Sequence, residues 1–376
     1  RLRETLAELD AWKAQEPSWL EQGRAMGLWA EMERTHTLLM FGPSVRPGQA
    51  TWTSHLPTLQ HSLYTRSGNT LIGQFVASRG SWVDADVVAH VLLFVLRQAE
   101  PQSHPVDWPV LDVGANIGSV TILLLKLGFP VHAVEADKGN ALAIRCAHQA
   151  RVFQASMRAC RRIGSTSRCN VPEGALRLSE VAASDSAGEL LLSVPTSGKP
   201  GAGDGAFAQV RRSAADFINV DAAGGTSFEK VHATTIDQLL ATELVSPRII
   251  KVDVEGFEMQ VLRGAKQALR TAQYLFTEVW PAALETHCTP WEFMQQLSDF
   301  PYAYEVRTEA LYVFLLPLDL SQLLQGDSWS AAPLYNTTFD ALFSKNRLRV
   351  QTAQSSLHLR RSLWVSVQSR SSDRSP

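Results

Sequence analysis

The chain is poor in cysteine. Only Cys146, Cys160, Cys169 and Cys288 occur among 376 residues, and no two form a CxxC pair. A disulfide scaffold or a structural zinc site, which needs three or four spaced ligands, is therefore not expected. His287 beside Cys288 offers two ligands at most and reads as ordinary structure. The chain also lacks a positive excess: 35 Lys and Arg face 37 Asp and Glu, for a formal net charge of -2. That balance argues against broad nucleic-acid binding, which needs a positive surface, and leaves room only for a local basic patch. No apolar run reaches the roughly 18 residues of a membrane span. The chain opens on Arg1 rather than Met, so it reads as processed or as a fragment. A lost upstream anchor stays open, and with it the choice between cytoplasm and secretory-pathway lumen. Asn336-Thr337-Thr338 fits the glycosylation acceptor pattern, a triplet common by chance. Oligomeric state is not legible.

What is present is 45% apolar residues, enough for a substantial core. Residues 1–60 read as a helical N-terminal extension followed by loop. One helix carries Leu2, Leu6, Leu9 and Trp12 before Pro17, and a second is suggested by Trp29, Met32 and Leu39. From 61 to 342 short apolar runs alternate with helical stretches, the pattern of a parallel α/β sheet. Strands are expected at Leu71–Val76, Val110–Val113, Val131–Val134, Leu176–Ala182, Glu189–Val194, Ile249–Val252 and Tyr274–Val279, with two more within Tyr304–Leu316. Helices are expected at Val83–Leu96, Ser119–Leu127, residues 139–162, from Thr235, and from the strand at Ile249 on to Arg270. Residues 195–227, rich in Gly, Ala and Ser, read as a flexible insertion, and 343–376 as a poorly ordered polar tail.

Two segments carry the chemistry. Val110 to Gly118 runs from a strand through Asp112-Val113-Gly114-Ala115-Asn116-Ile117-Gly118 into a helix. Small residues here let a ligand approach the backbone. Gly114 can take positive φ, Gly118 lets the following helix pack near the strand, and Asp112 can accept from a ligand amino group or orient the loop. The loop falls at the carboxyl end of a strand, where open α/β sheets bind ligands. Its glycines are four apart, and the middle Gly that admits a pyrophosphate is missing. S-adenosylmethionine has no phosphate, so the spacing favours it over NAD. A tight turn without ligand is the alternative. Second, Glu135 ends the strand Val131–Val134, 21 residues after Gly114, the offset at which a carboxylate grips ribose hydroxyls. A solvated turn carboxylate is the alternative. Asp185, after the third strand, reads either as an adenine contact or as a turn residue.

These residues, with Val134-Glu135-Ala136, Ala182 to Gly188, Thr234-Thr235-Ile236-Asp237, Ile250 to Glu258 and Val261 to Ala265, resemble the FkbM family of methyltransferases over roughly residues 64–316. The resemblance implies a Rossmann-like class I methyltransferase fold, with a doubly wound, mostly parallel seven-stranded sheet. It implies S-adenosylmethionine as methyl donor, and the cofactor-binding candidates are Asp112, Gly114, Ala115, Asn116, Gly118, Glu135 and Asp185. O-methylation of a sugar, glycan or small-molecule hydroxyl would be the reaction. Ala136 and Asp137 depart from the family, which often has Pro after the acidic residue.

Methyl transfer is an in-line displacement that rewards positioning, and a hydroxyl acceptor must lose a proton to a base. Asp253, at the end of Ile249–Val252, is the candidate acceptor-side residue. Glu255 is its partner, or else a helix N-terminal carboxylate. Glu278 is a third candidate, or a satisfied strand-end group. Lys251 alternates with Val252 and points to the same edge or pairs with a carboxylate. Trp280, Trp291, Tyr302 and Tyr304 offer either a stacking surface for sugar or core packing. Two other classes stay open: an NAD-dependent oxidoreductase and a non-catalytic cofactor-binding module.

Overall fold

Short apolar strands buried on both faces need a sheet covered by helices on each side. Such strands form the centre of the computed structural model, which describes residues 30–36, 59–65, 83–99, 103–148, 176–195, 209–212, 226–241, 246–309, 312–318, 328–331 and 338–348. Two antiparallel strands, β1 (Ala30–His36) and β2 (Leu59–Thr65), come first. The helix expected around Trp29 to Leu39 is thus a strand over Ala30–His36, because cross-strand pairing with a partner distant in sequence overrides a weak helical spacing. The helix over Leu2–Trp12 and the strand at Leu71–Val76 lie outside the described residues.

The main sheet has eight strands. Five run parallel in the order β5 (Leu176–Ser179), β4 (Val131–Val134), β3 (Val110–Val113), β10 (Ile249–Val252), β11 (Tyr274–Val279). Next comes β14 (Phe339–Ser344), antiparallel to both β11 and β12 (Tyr302–Glu309), so β12 again shares the common direction. The expected Rossmann-like sheet of a class I methyltransferase is present, and β13 (Tyr312–Pro317) adds an antiparallel eighth strand at the edge beyond the seven expected. The tail boundary at 343 is also corrected. Phe343 and Ser344 are fully buried in β14, and Leu348 is nearly so, because β14 fills the slot between β11 and β12.

Helices cover both faces. On one side α1 (Val83–Ala99), α2 (Ser119–Leu127) and α3 (138–148) pack around Trp108, Phe129 and Tyr274. On the other, α4 (Ile236–Leu240), α5 (Glu258–Arg263), α6 (Lys266–Thr271) and α8 (Pro290–Gln296) pack on Leu111, Ile250 and Leu275; the one-turn helix α7 (Pro281–Leu284) adds Leu284. Each fully buried leucine contributes about 2 kcal/mol of transfer free energy, so these layers hold the sheet edge rigid. Thr235 and Thr289 start α4 and α8 with reciprocal capping boxes to Gln238 and Glu292. The single helix expected up to Arg270 is two short ones. It breaks at Gly264, where a Cβ would stand 1.9 Å from the Ser184 carbonyl oxygen.

Between β5 and α4 the chain builds a second, four-stranded sheet. Its order is β6 (Ala182–Ala183), β9 (Thr226–Thr234), β7 (Gly188–Pro195), β8 (Gln209–Arg211). The expected strand Leu176–Ala182 is therefore divided between two sheets. The insertion read as flexible contains β8 and the start of β9, because β7 offers both its edges to pair with them.

Candidate functional site

Strand order reverses beside β3: β4 lies on one side and β10 on the other. Loops leaving adjacent strands diverge at such a point, and a crevice opens at their carboxyl ends. Here it is a cleft whose empty space, open solvent included, is about 620 Å3. Gly114, Asn116 and Glu135 line one side, Asp253, Glu255 and Phe257 the other, and Leu192 and Val210 come from the second sheet.

The glycine loop is backbone-built. Gly114 has φ 76°, Asn116 φ 53° and Gly118 φ 85°. A Cβ on Gly114 would lie 1.8 Å from the Asp253 carbonyl oxygen, so packing against the chain that leaves β10 by itself excludes a side chain here. Gly118 caps α2, and its Cβ would press on Ile144 of α3 at 2.8 Å. The Gly114 and Ala115 amides both donate to the Val134 carbonyl at 3.0 and 3.2 Å. Gly114 and Asn116 line the cleft, whereas Ala115 and Gly118 shape it from behind, Ala115 packed with Ala133 and Ile144. Asp112 lies wholly buried beneath, its Oδ2 accepting from Thr121 Oγ1 at 2.6 Å, so it orients the loop and does not reach the cleft.

Glu135 faces the cleft at the end of β4. Its carboxylate accepts the Asn116 amide at 2.7 Å and the Asp137 amide at 2.8 Å, clamping the loop to the next strand. Burial pushes its pKa up to about 7, against the lowering effect of those amides. Asn140 of α3 also lines the cleft; it is 2% exposed, and its Oδ1 has no hydrogen-bond partner among the described residues. Sequence reasoning missed it, since an Asn inside a helical pattern carries no signal. Asp185 does not line the cleft. Burial acts to raise its pKa, but hydrogen bonds from Arg212, Ser186 and Ser184 hold it below the usual range, and it pairs with Arg212.

On the far side Asp253 is about one third exposed, 36% by side chain, with Lys251 Nζ 3.1 Å from Oδ2. Glu255 takes φ 55°, unusual for a residue with a side chain, and Gly256 follows at φ 87°. Glu255 was expected to open the helix. It sits instead in the preceding turn, and α5 begins at Glu258. That residue is fully buried, and its Oε1 accepts the Val254 and Gly256 amides at 3.0 and 3.2 Å. Burial raises its pKa. Glu278 does not line the cleft; burial, then the charges of Asp253, Glu258, Glu255 and Asp340, push its pKa to about 10. That shift favours the protonated form, which is not the form of a general base. The Glu255 turn is fastened by Arg211 of β8, fully buried, whose Nη2 donates to the Glu255 carbonyl at 3.0 Å and whose guanidinium lies 5.8 Å from the Phe257 ring centroid. Nothing in the Gly- and Ala-rich segment around Arg211 announces this role.

Of the four aromatics considered for stacking, Tyr304 is core, its hydroxyl accepting the Leu348 amide at 2.8 Å, while Trp291 and Tyr302 are exposed. None of the four lines the cleft. Among the described residues no group of three His, Cys, Asp or Glu could hold a metal ion, and no helix is long and apolar enough to cross a membrane.

No curated protein matches the chain by sequence. Among solved structures it is similar to the methyltransferase FkbM from Methylobacillus flagellatus KT, at 15% identity and a TM-score of 0.31, covering 63% of this chain and 43% of that one. It is also similar to the bifunctional kinase-methyltransferase WbdD, at 10% identity and 0.33, covering 71% and 40%. A SAM-dependent methyltransferase from Agrobacterium tumefaciens gives 9% and 0.34, covering 71% and 64%. The chain thus spans less than half the length of the first two. The sequence model of the Methyltransferase FkbM domain matches residues 112–312, more than half the chain, and carries both walls of the cleft. The chain therefore belongs to the FkbM family of methyltransferases.

Proposed function

We propose that the protein transfers a methyl group from S-adenosylmethionine to a hydroxyl of a sugar, glycan or small molecule. The observation that carries this reading is the cleft at the strand-order reversal, with Glu135 on one wall and Asp253 on the other. The residues present fit such a donor. Asn140 Oδ1 is a buried acceptor without a partner among the described residues, beside the Glu135 carboxylate, and together they suit a ribose or an amino group. Membership of a methyltransferase family counts against the oxidoreductase alternative.

When bound, S-adenosylmethionine supplies an electrophilic methyl on a cationic sulfur. In this reading Glu135 holds the ribose, and Gly114 and Asn116 set the depth of the adenosyl group. Asp253 would take the proton of the acceptor's hydroxyl as that oxygen accepts the methyl group. Glu255 shares the acceptor side. Valine and leucine side chains from both sheets exclude water from the donor, which strengthens each charge interaction.

The test is tritium transfer from labelled S-adenosylmethionine to glycan, lipid and metabolite fractions of cells lacking the protein. Wild-type protein should label one fraction. Asp253→Asn should lower the rate about 100-fold or more while S-adenosylhomocysteine still binds, the scale of a lost general base. Unchanged labelling by Asp253→Asn would remove Asp253 from the reaction.

A further inference from the structure

Lys251 sits where two strands bring opposite charges together. Parallel register sets it opposite Asp112 of β3, and its side chain is only 5% exposed. Its ammonium lies 3.4 Å from Asp112 Oδ1 and 3.1 Å from Asp253 Oδ2, and donates to the Gly114 carbonyl at 3.2 Å. Asp112 Oδ1 has no hydrogen bond among the described residues, so the ammonium is what compensates it. A buried charge of either sign is costly unless paired, so Asp112 and Lys251 fix each other. A lysine needed only to neutralise Asp112 would have no use for the other two contacts. Both of those lie at the cleft: the carbonyl that starts the glycine loop, and the carboxylate facing it from the opposite wall.

We propose that Lys251 is a positioning residue that ties the donor loop to Asp253 and holds that carboxylate aimed at the donor's sulfonium, with Asp112 as its buried counter-ion. This rests on reading the cleft as an S-adenosylmethionine site. The other carboxylates around Asp253 are Glu255 in the same turn, Glu258 of α5, Glu278 of β11 and Glu135 across the cleft. Lys251 is the cation directly paired with Asp253.

The test is a cycle of variants titrated calorimetrically with S-adenosylmethionine, which carries the sulfonium charge, and with S-adenosylhomocysteine, which does not. In the wild-type background Asp253→Asn should weaken the charged ligand about tenfold and the neutral one less than twofold, as for loss of one nearby charge. In a D112N/K251M background, which leaves no unpaired buried charge, Asp253→Asn should cost less than twofold for either ligand. Equal losses in both backgrounds, or equal losses for both ligands, would overturn the proposal. Where the lysine variants fail to melt cooperatively, the claim is read in Asp253→Asn alone. The 13C resonance of the Gly114 carbonyl should move, because the same ammonium loses its charged partner at Asp253; a stationary resonance overturns it. If the wild type binds neither ligand, the donor reading fails instead.

Discussion

The two walls of the cleft are made differently. The wall proposed to hold the donor, Gly114 to Gly118 with Glu135, is mostly main chain: three left-handed residues within five positions, amides shared with Val134, and a carboxylate that accepts further amides. The wall proposed to face the acceptor, Asp253 to Glu258, is held by side chains: Lys251 and Asp112 from within the sheet, Arg211 from an insertion, and Glu258 reaching back over its own turn. Main-chain geometry of this kind needs glycine and small residues at fixed short offsets. Side-chain bracing needs only that distant groups converge.

The comparison is broken most severely at the point where the walls touch. Gly114→Val puts a side chain into the Asp253 carbonyl at a left-handed backbone, and should cost about 4 kcal/mol or more. The expected result is loss of the cooperative thermal transition. A well-folded variant that merely fails to bind donor would mean the loop yields more easily than its packing implies.

Glu135 sharpens the donor side. Its folded carboxyl holds the proton up to about pH 7, against an ordinary value of 4.5. Its contribution to stability is therefore complete below pH 4.5 and is lost as pH rises through about 7, a fall of about 3 kcal/mol. Glu135→Gln should flatten that part of the stability profile in denaturant titrations at successive pH. Because ribose hydroxyls favour the ionised carboxylate, donor affinity should climb through about pH 7 in the wild type and stay level in the variant. A parallel climb in both would take Glu135 out of the donor site.

Arg211→Met tests the acceptor side and should be milder, about 2 kcal/mol, the scale of a charged hydrogen bond lost from a buried place. Amide hydrogen exchange at Glu255 to Phe257 should speed by tenfold or more, while Gly114 to Gly118 keep their protection. Equal loosening of both walls would show that they are one unit and dissolve the distinction.

The legibility of the molecule follows the same division. Gly114, Asn116 and Glu135 were readable because strand, turn and helix signals are local and the acidic residue stands at a fixed offset. The strand Ile249–Val252 was readable down to its bounds because a strand buried on both faces must be apolar. Glu255 was misplaced by one turn, since an acidic residue near a helix start looks the same whether it caps the helix or sits in a left-handed turn before it. Asn140 and Arg211 gave no signal: their roles depend on neighbours far away in the chain. Strand β14 was not anticipated, and the domain was ended at 342 inside it, because its place between β11 and β12 is set by pairing and not by composition.

By itself, the order of residues determined the α/β class, the glycine turn after β3, the carboxylate after β4 and the family. Only the tertiary structure decided that Asp112 turns inward to Lys251, that Asp185 turns away to Arg212, and that an insertion supplies the arginine behind Glu255. Backbone conformation is dictated by neighbours along the chain. The compensation of a buried charge is dictated by whatever group folding brings within a few ångströms.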